Sequence, residues 1–167
     1  MSREGVHELA GPVSSDVFRC ACGRFATGVA IAAAIDSRGV PHGLTVNSFA
    51  SVSLEPPLVL ICLSHAVAAI EIFRTATHFG LSVLRSSQRV LSERFAAPMD
   101  NRFDSLAWHP GKTGTPLLDD VLAQIECVIV NRVAAGDHDI LIGEMVAARV
   151  NDGDPLIYFA SQYRELT

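Results

Sequence analysis

Two short stretches carry residue types that could do chemistry. The first is Thr45-Val46-Asn47-Ser48-Phe49-Ala50-Ser51-Val52-Ser53, between two apolar runs and just before Pro56-Pro57. Its small hydroxyls and amide supply side-chain donors and acceptors, and an irregular backbone here adds a run of free N–H groups. Such a run can cradle a planar heteroaromatic ring or a phosphate without a glycine-rich loop. The same composition also suits a polar strand edge facing water. The second stretch is Gly136-Asp137-His138-Asp139, at the entry to a long apolar segment. It reads either as a hairpin turn in which Asp137 bonds its own backbone, or as a histidine held at a strand start and facing a cleft. The familiar phosphate-loop, dinucleotide, zincin and nucleophile-elbow patterns are absent. Histidines 7, 42, 65, 78, 109 and 138 are scattered, and Cys20-x-Cys22 has no second pair, so no metal site is expected. Local motifs favour neither a hydrolase nor a metalloenzyme.

The elements that must position these stretches follow from periodicity and breakers. Ser14-Ser15-Asp16 is an N-cap cluster, and Val17, Phe18, Ala21 and Phe25 follow at helical spacing. Gly28–Ile35 is a short apolar strand, Asp36–Gly39 a turn, and about Pro41–Thr45 the return strand. Leu58–Leu63 reads as a strand buried on both faces, and Ala66–Thr75 as a helix with Ile70 and Phe73 on one face. A strand at Phe79–Leu84 precedes a helix at Ser87–Phe95, capped by Ser86 or Ser87. Asp100–Pro116 has the composition of a long surface loop. Gln124–Val130 alternates, with Ile125, Cys127 and Ile129 on one side and Gln124 and Glu126 on the other. Asp139–Val150 is long for one strand, and Gly143 in its middle marks a bulge or a close backbone approach. A turn at Asp152–Pro155 leads into a last strand at Leu156–Phe159. Strands joined by hairpin-like turns, with helices that do not alternate regularly, favour a mainly β antiparallel barrel with a few helices.

Composition narrows the class. The 167 residues suit one domain, read as residues 14–167 behind an N-terminal arm at 1–13. With 49% apolar and 19% charged residues the chain is not of the disordered type. A net charge of −5 and a single lysine, Lys112, argue against a nucleic-acid binder. The longest apolar run, Pro56–Leu63, is too short to cross a membrane. The opening residues lack the apolar stretch of a signal peptide, so a reducing cytoplasm is expected. There Cys20, Cys22, Cys62 and Cys127 are read as buried small hydrophobes.

In order and spacing, several motifs together resemble the short-chain flavin reductase family. These are FMN-binding split-barrel proteins that feed reduced flavin to partner monooxygenases. The landmarks begin with Phe25–Val29, Gly43–Phe49 and Ser51–Pro57. They continue through Phe95-Ala96, Asn101–Phe103, Gly136–His138, Ile142–Glu144 and Pro155–Tyr158. The resemblance implies a split antiparallel barrel that forms a homodimer, with FMN or FAD in a groove near the subunit interface. It puts flavin contacts on Thr45, Val46, Asn47, Ser48, Ser51 and Val52, on Cys62 and Ser64, and on Phe95 and Ala96. His138 is then the catalytic residue, on the nicotinamide side. NADH is the expected donor, since no arginine cluster marks a 2′-phosphate pocket, with NADPH also possible. The chain departs from the family where the flavin phosphate docks: Ser64-His65-Ala66-Val67-Ala68-Ala69 holds few hydroxyls. A phosphate there would lean on N–H groups at the start of a helix at Ala66. A non-catalytic flavin store on the same barrel is the alternative. An oxidase of the pyridoxamine-phosphate type would need a basic pocket, against which the lysine poverty weighs.

Overall fold

The computed structural model describes residues 12–166. The arm expected over residues 1–13 therefore lies almost wholly outside the described residues. Helix α1 (Ser15–Cys22) starts where expected, with the Ser14 hydroxyl accepting from Val17 N–H at 3.3 Å. The elements then run β1 (Thr27–Gly28), β2 (Ala30–Ile35), β3 (Pro41–Val46), β4 (Ala50–Leu54) and β5 (Pro57–Ser64). Helix α2 (Ile70–Thr75), β6 (His78–Val83), a 3-10 turn (Ser86–Gln88) and α3 (Arg89–Ala96) follow. The last third holds β7 (Trp108–Pro110), β8 (Pro116–Leu118), β9 (Ala123–Ala135), β10 (His138–Val150), β11 (Ile157–Phe159) and β12 (Gln162–Arg164). No described helix is long and apolar enough to cross a membrane.

Seven strands form one antiparallel sheet in the order β3-β2-β6-β9-β10-β5-β4; β1-β11-β12 and β7-β8 form two small ones. The ladder is not closed, for β3 and β4 are its two free edges although they are consecutive in the chain. Apolar residues fall into two clusters on opposite faces of β2. Ala30, Ala32 and Ala34 join Leu44, Val59, Ile61, Leu63, Phe73 and Phe79 inside the curved sheet. Val29, Ile31 and Ala33 join Phe95, Phe103, Leu118 and Leu156 outside it, beneath α3. Small residues in β2 let rings pack on both faces. Gly43 on β3 is needed for the same reason, since a Cβ there would lie 2.9 Å from the Phe95 ring.

Several expectations are corrected. Burial along β5 alternates, because only one face meets the core; Leu58, Leu60 and Cys62 are half-buried. The helix expected from Ala66 begins at Ile70, and Ala66–Ala69 form turns. Neither Ser86 nor Ser87 caps the next helix; Gln88 Oε1 accepts from Arg85 N–H at 2.8 Å instead. Cys20 and Cys22 are exposed on α1, and only Cys127 is buried. The Asp100–Pro116 loop ends in the β7–β8 hairpin, whose anchors explain why both faces of β9 are buried from Gln124 to Cys127. Gln124 donates to Leu118 O at 2.8 Å, and Glu126 accepts from the N–H groups of Lys112 and Thr113 at 3.0 and 2.7 Å. Burial pushes the Glu126 carboxyl up, but these donors with the Thr113 hydroxyl leave it below its ordinary value. Gly143 does sit at a register shift, and a Cβ there would lie 2.6 Å from the Phe79 ring.

Candidate functional site

The Thr45–Phe49 segment ends β3 and crosses to β4. Two of its hydroxyls are engaged internally. Thr45 Oγ1 donates to Ser92 O on α3 at 2.6 Å. Ser48 Oγ donates to Cys62 O at 3.0 Å and accepts from Cys62 N–H at 2.9 Å. Since β4 starts pairing with β5 only at Ala50, opposite Leu60, this one hydroxyl does for Cys62 what a ladder residue would do. It ties the free end of β3 to β5 across the opening of the sheet. The N–H groups of Asn47, Ser48 and Phe49 have no backbone acceptor among the described residues. The unpaired amide run expected from the sequence is therefore present.

Beside it lies a cavity of about 210 Å³ lined by Thr45, Asn47 and Ala96 together with Ser92, Tyr158 and Tyr163. The last three were not anticipated. Ser92 shares a helix face with Ala96 at i,i+4 spacing, a signal available in the sequence. The tyrosines come from the β11–β12 hairpin, whose second strand no sequence pattern announced. The Tyr163 hydroxyl lies 2.8 Å from Ser92 Oγ, its ring meets Tyr158 edge-on at 5.4 Å, and the Arg89 guanidinium sits 5.1 Å over it. Thr27, cross-strand from Tyr158, has a buried hydroxyl without a partner among the described residues.

A second wall is formed by the end of β5 and the start of β10. His138 pairs with Ser64 and Ile140 with Cys62, so the three residues Cys62, Ser64 and His138 share one face, opposite that of Leu63 and Asp139. Burial holds the Cys62 thiol above its ordinary pKa, so it is protonated at neutral pH and contributes chiefly through its backbone. His138 Nδ1 lies 2.7 Å from Asp137 Oδ1, and this bond is the main reason the Asp137 carboxyl falls below its usual range. With the Nδ1 edge held, Nε2 is left for a ligand. His138 opens on a separate cavity of about 390 Å³, shared with Val13, Ser14, Ser15, Phe18 and Arg19.

The remaining sequence-derived residues do not join either wall through their side chains. Val46 is buried in the inner cluster and Phe95 in the outer one, edge-on to Phe103 at 5.0 Å. Phe95 thus packs behind the Thr45 cavity. Ser51 pairs with Val59, out of phase with Cys62, and Val52 occupies the register shift of β4; both are exposed.

Free amides, an aromatic cavity and a histidine held by its neighbouring carboxylate are features suited to a planar ring and a second ring stacked on it. Residues 22–167 match the flavin reductase like domain family. The chain belongs to that family. Its relatives include the FMN reductase (NADH) SmoA of Agrobacterium fabrum, 44% identical over 150 residues, covering 90% of this chain and 85% of that one. The reductase component of 4-nitrophenol 4-monooxygenase/4-nitrocatechol 2-monooxygenase from Rhodococcus opacus is 34% identical over 152 residues, covering 91% and 81%. Against one longer relative, a probable flavin reductase of Rhizobium meliloti 43% identical over 129 residues, which are 77% of this chain, the chain spans only 42% of the length. The solved NADH:FAD oxidoreductase SgcE6 of Streptomyces globisporus, in complex with NAD and FAD fragments, aligns with a TM-score of 0.89 at 33% identity. That alignment covers 96% of this flavin reductase-like chain and 97% of the other.

Proposed function

We propose that the chain is an NAD(P)H-dependent flavin reductase that passes a hydride from NADH to FMN or FAD and supplies reduced flavin to a partner monooxygenase. The observation that carries this reading is the unpaired amide run at Asn47–Phe49, fixed by the Ser48–Cys62 bonds, with Asn47 lining the Tyr163 cavity. When bound, the flavin supplies the hydride-accepting ring. The amides of Asn47, Ser48 and Phe49 offer fixed donors to an electron-rich edge, and fixed donors need no reorganisation as negative charge develops. Asn47, Ala96 and Tyr163 bound the ring, with Thr45 and Ser92 holding that wall. Ser64 and the turn after it take the phosphate end. His138, steadied by Asp137, orients the nicotinamide. No side chain is required as a general base, so positioning supplies most of the catalysis.

The active form is a homodimer in which the split barrel is completed. Both long strands overhang their neighbours: β9 pairs with β6 only as far as Val128, and β10 with β5 only from His138 to Glu144. Beyond those points Val130, Val133, Val146 and Val150 are exposed, as are Val52 and Leu54 on the edge strand β4. Apolar strands with an unpaired edge call for a cover, and a second copy supplies one. Residues 14–167 act as one domain, in the cytoplasm.

The test is NADH consumption by the purified chain with free FMN and FAD as acceptors, beside light scattering. Flavin-dependent turnover from a dimer is expected. Tight flavin binding with no NADH consumption would make this a flavin store, and a 17.9 kDa particle at all concentrations would remove the dimer.

A further inference from the structure

His138 stands where its strand is easiest to open. It is the end residue of β10 in both ladders, opposite Ala135 on β9 and Ser64 on β5. The two-residue turn Gly136-Asp137 lies directly before it, with Gly136 at φ +65°. Rungs at the end of a ladder open at little cost, so a side chain there is aimed only as well as the end is tied down.

One residue supplies ties on both sides of it. His65 N–H donates to Asp137 O at 2.9 Å, and His65 Nε2 lies 2.9 Å from Asp139 Oδ1. The neighbours of His138 in the chain, one before and one after, are therefore both bound to His65. Asp137 is also the residue whose carboxylate lies 2.7 Å from His138 Nδ1, so the same grip sets the imidazole and its carboxylate together. The His65 ring has its own support. Asp139 Oδ2 accepts from Arg74 Nε at 2.7 Å, and Arg74 also donates to Glu71 at 2.7 Å. Asp139 is 9% exposed, and a carboxylate so buried is costly unless its oxygens are paired. Both are, and the Arg74 bond, then the His65 bond, holds the carboxyl below its usual range. Strand alternation turns Asp139 to the face opposite His138. The cluster thus acts on His138 only through the backbone of residues 137–139.

We propose that His65 is a positioning residue for hydride transfer: its ring on Asp139 and its amide on Asp137 clamp the two neighbours of His138 and so hold that imidazole where the nicotinamide docks. The proposal rests on the reading of His138 given above. A histidine that only joined α2 to β10 would change stability and leave the chemistry of the folded protein alone.

The experiment measures kcat/KM for NADH with the full chain at saturating FMN and at saturating FAD. It compares the wild type, His65→Ala, His65→Gln, Asp139→Asn, His138→Ala and the double variant His65→Ala/His138→Ala. His65→Ala should lower kcat/KM about three- to tenfold, and Asp139→Asn, which weakens the same bond from its other side, by a similar factor. His65→Gln, whose amide can reach Asp139 much as Nε2 does, should recover most of the loss. In the His138→Ala background His65→Ala should cost less than about twofold, because the group it positions is gone. His65→Ala leaves the Asp139–Arg74 bond in place, so it reads the effect even if Asp139→Asn does not fold. Normal kcat/KM in His65→Ala, equal losses in the two backgrounds, or no recovery in His65→Gln overturns the proposal. Normal kcat/KM in His138→Ala overturns the reading of His138, and the proposal with it. A wild type that consumes no NADH overturns the flavin reductase reading as a whole.

Discussion

The two walls of the candidate site treat their polar side chains in opposite ways. Along Thr45–Ser48 the hydroxyls are turned inward to Ser92 O and to the Cys62 backbone, which leaves the main-chain amides as the donors on offer. Along Ser64–His138 the main chain is paired by the β5–β10 ladder, and the side chain on offer, His138, is held by the carboxylate of Asp137, while Asp139 holds His65 from the opposite face. The first wall is rigid because its hydroxyls are engaged. The second leaves its imidazoles half exposed, each ring held by one carboxylate. A run of Ser, Thr and Asn is therefore a poor count of ligand donors, since the same hydroxyls that look available can be the ones that free the amides beside them.

The sharpest way to break this contrast is at the corner of the first wall. Ser48→Val removes both bonds to Cys62 and leaves a backbone donor and acceptor without partners. The expected cost is about 2–4 kcal/mol in chemical denaturation, together with loss of flavin binding. A variant of unchanged stability would mean that the corner is held by something else.

On the second wall the effect should fall on chemistry and spare affinity. His138→Ala should lower kcat/KM for NADH about 5- to 150-fold, the equivalent of about 1–3 kcal/mol, while flavin Kd moves by less than about threefold. Stopped-flow reduction at several NADH concentrations, beside a thermal melt, checks this. A lower melting temperature with normal reduction would make His138 a turn residue only.

The sequence made the first wall legible and hid half of what backs it. Thr45, Asn47 and Ala96 were found because hydroxyl and amide residues between apolar strands are visible in one dimension, and because the family motif covers them. Tyr163 was not, since a three-residue strand leaves no period to detect and its partner Ser92 lies 71 residues away. Val46 and Phe95 fall within that motif, yet both side chains pack into the core. The strands β2, β3 and β6 and the irregularity at Gly143 were readable from pattern alone. The start of α2 was not, because the alanines at 66, 68 and 69 have helical composition but the ties from Asp137 and Asp139 hold their turn open.

Smaller effects sharpen the contrast further. Tyr163→Phe removes only the contact to Ser92 and should cost about 0.5–1.5 kcal/mol in a denaturant melt, with the bound-flavin absorbance band unchanged from wild type because the ring remains. Acid should act on the second wall first. Asp137, chiefly through His138, and Asp139, chiefly through Arg74, sit below the ordinary carboxyl range. Each contributes stability that is present above the unfolded pKa of about 3.9 and is lost as pH falls through the folded value. Melting temperature should therefore drop as pH falls from about 5 toward 2, and Asp139→Asn should flatten that slope.

The most direct measurement mixes the flavin-loaded chain with NADH in the absence of oxygen and follows the visible flavin absorbance. The account predicts about one flavin bound per subunit, bleached in a phase whose rate saturates with NADH and falls in His138→Ala. Flavin that stays oxidised at saturating NADH, or a chain that binds neither FMN nor FAD, would contradict it.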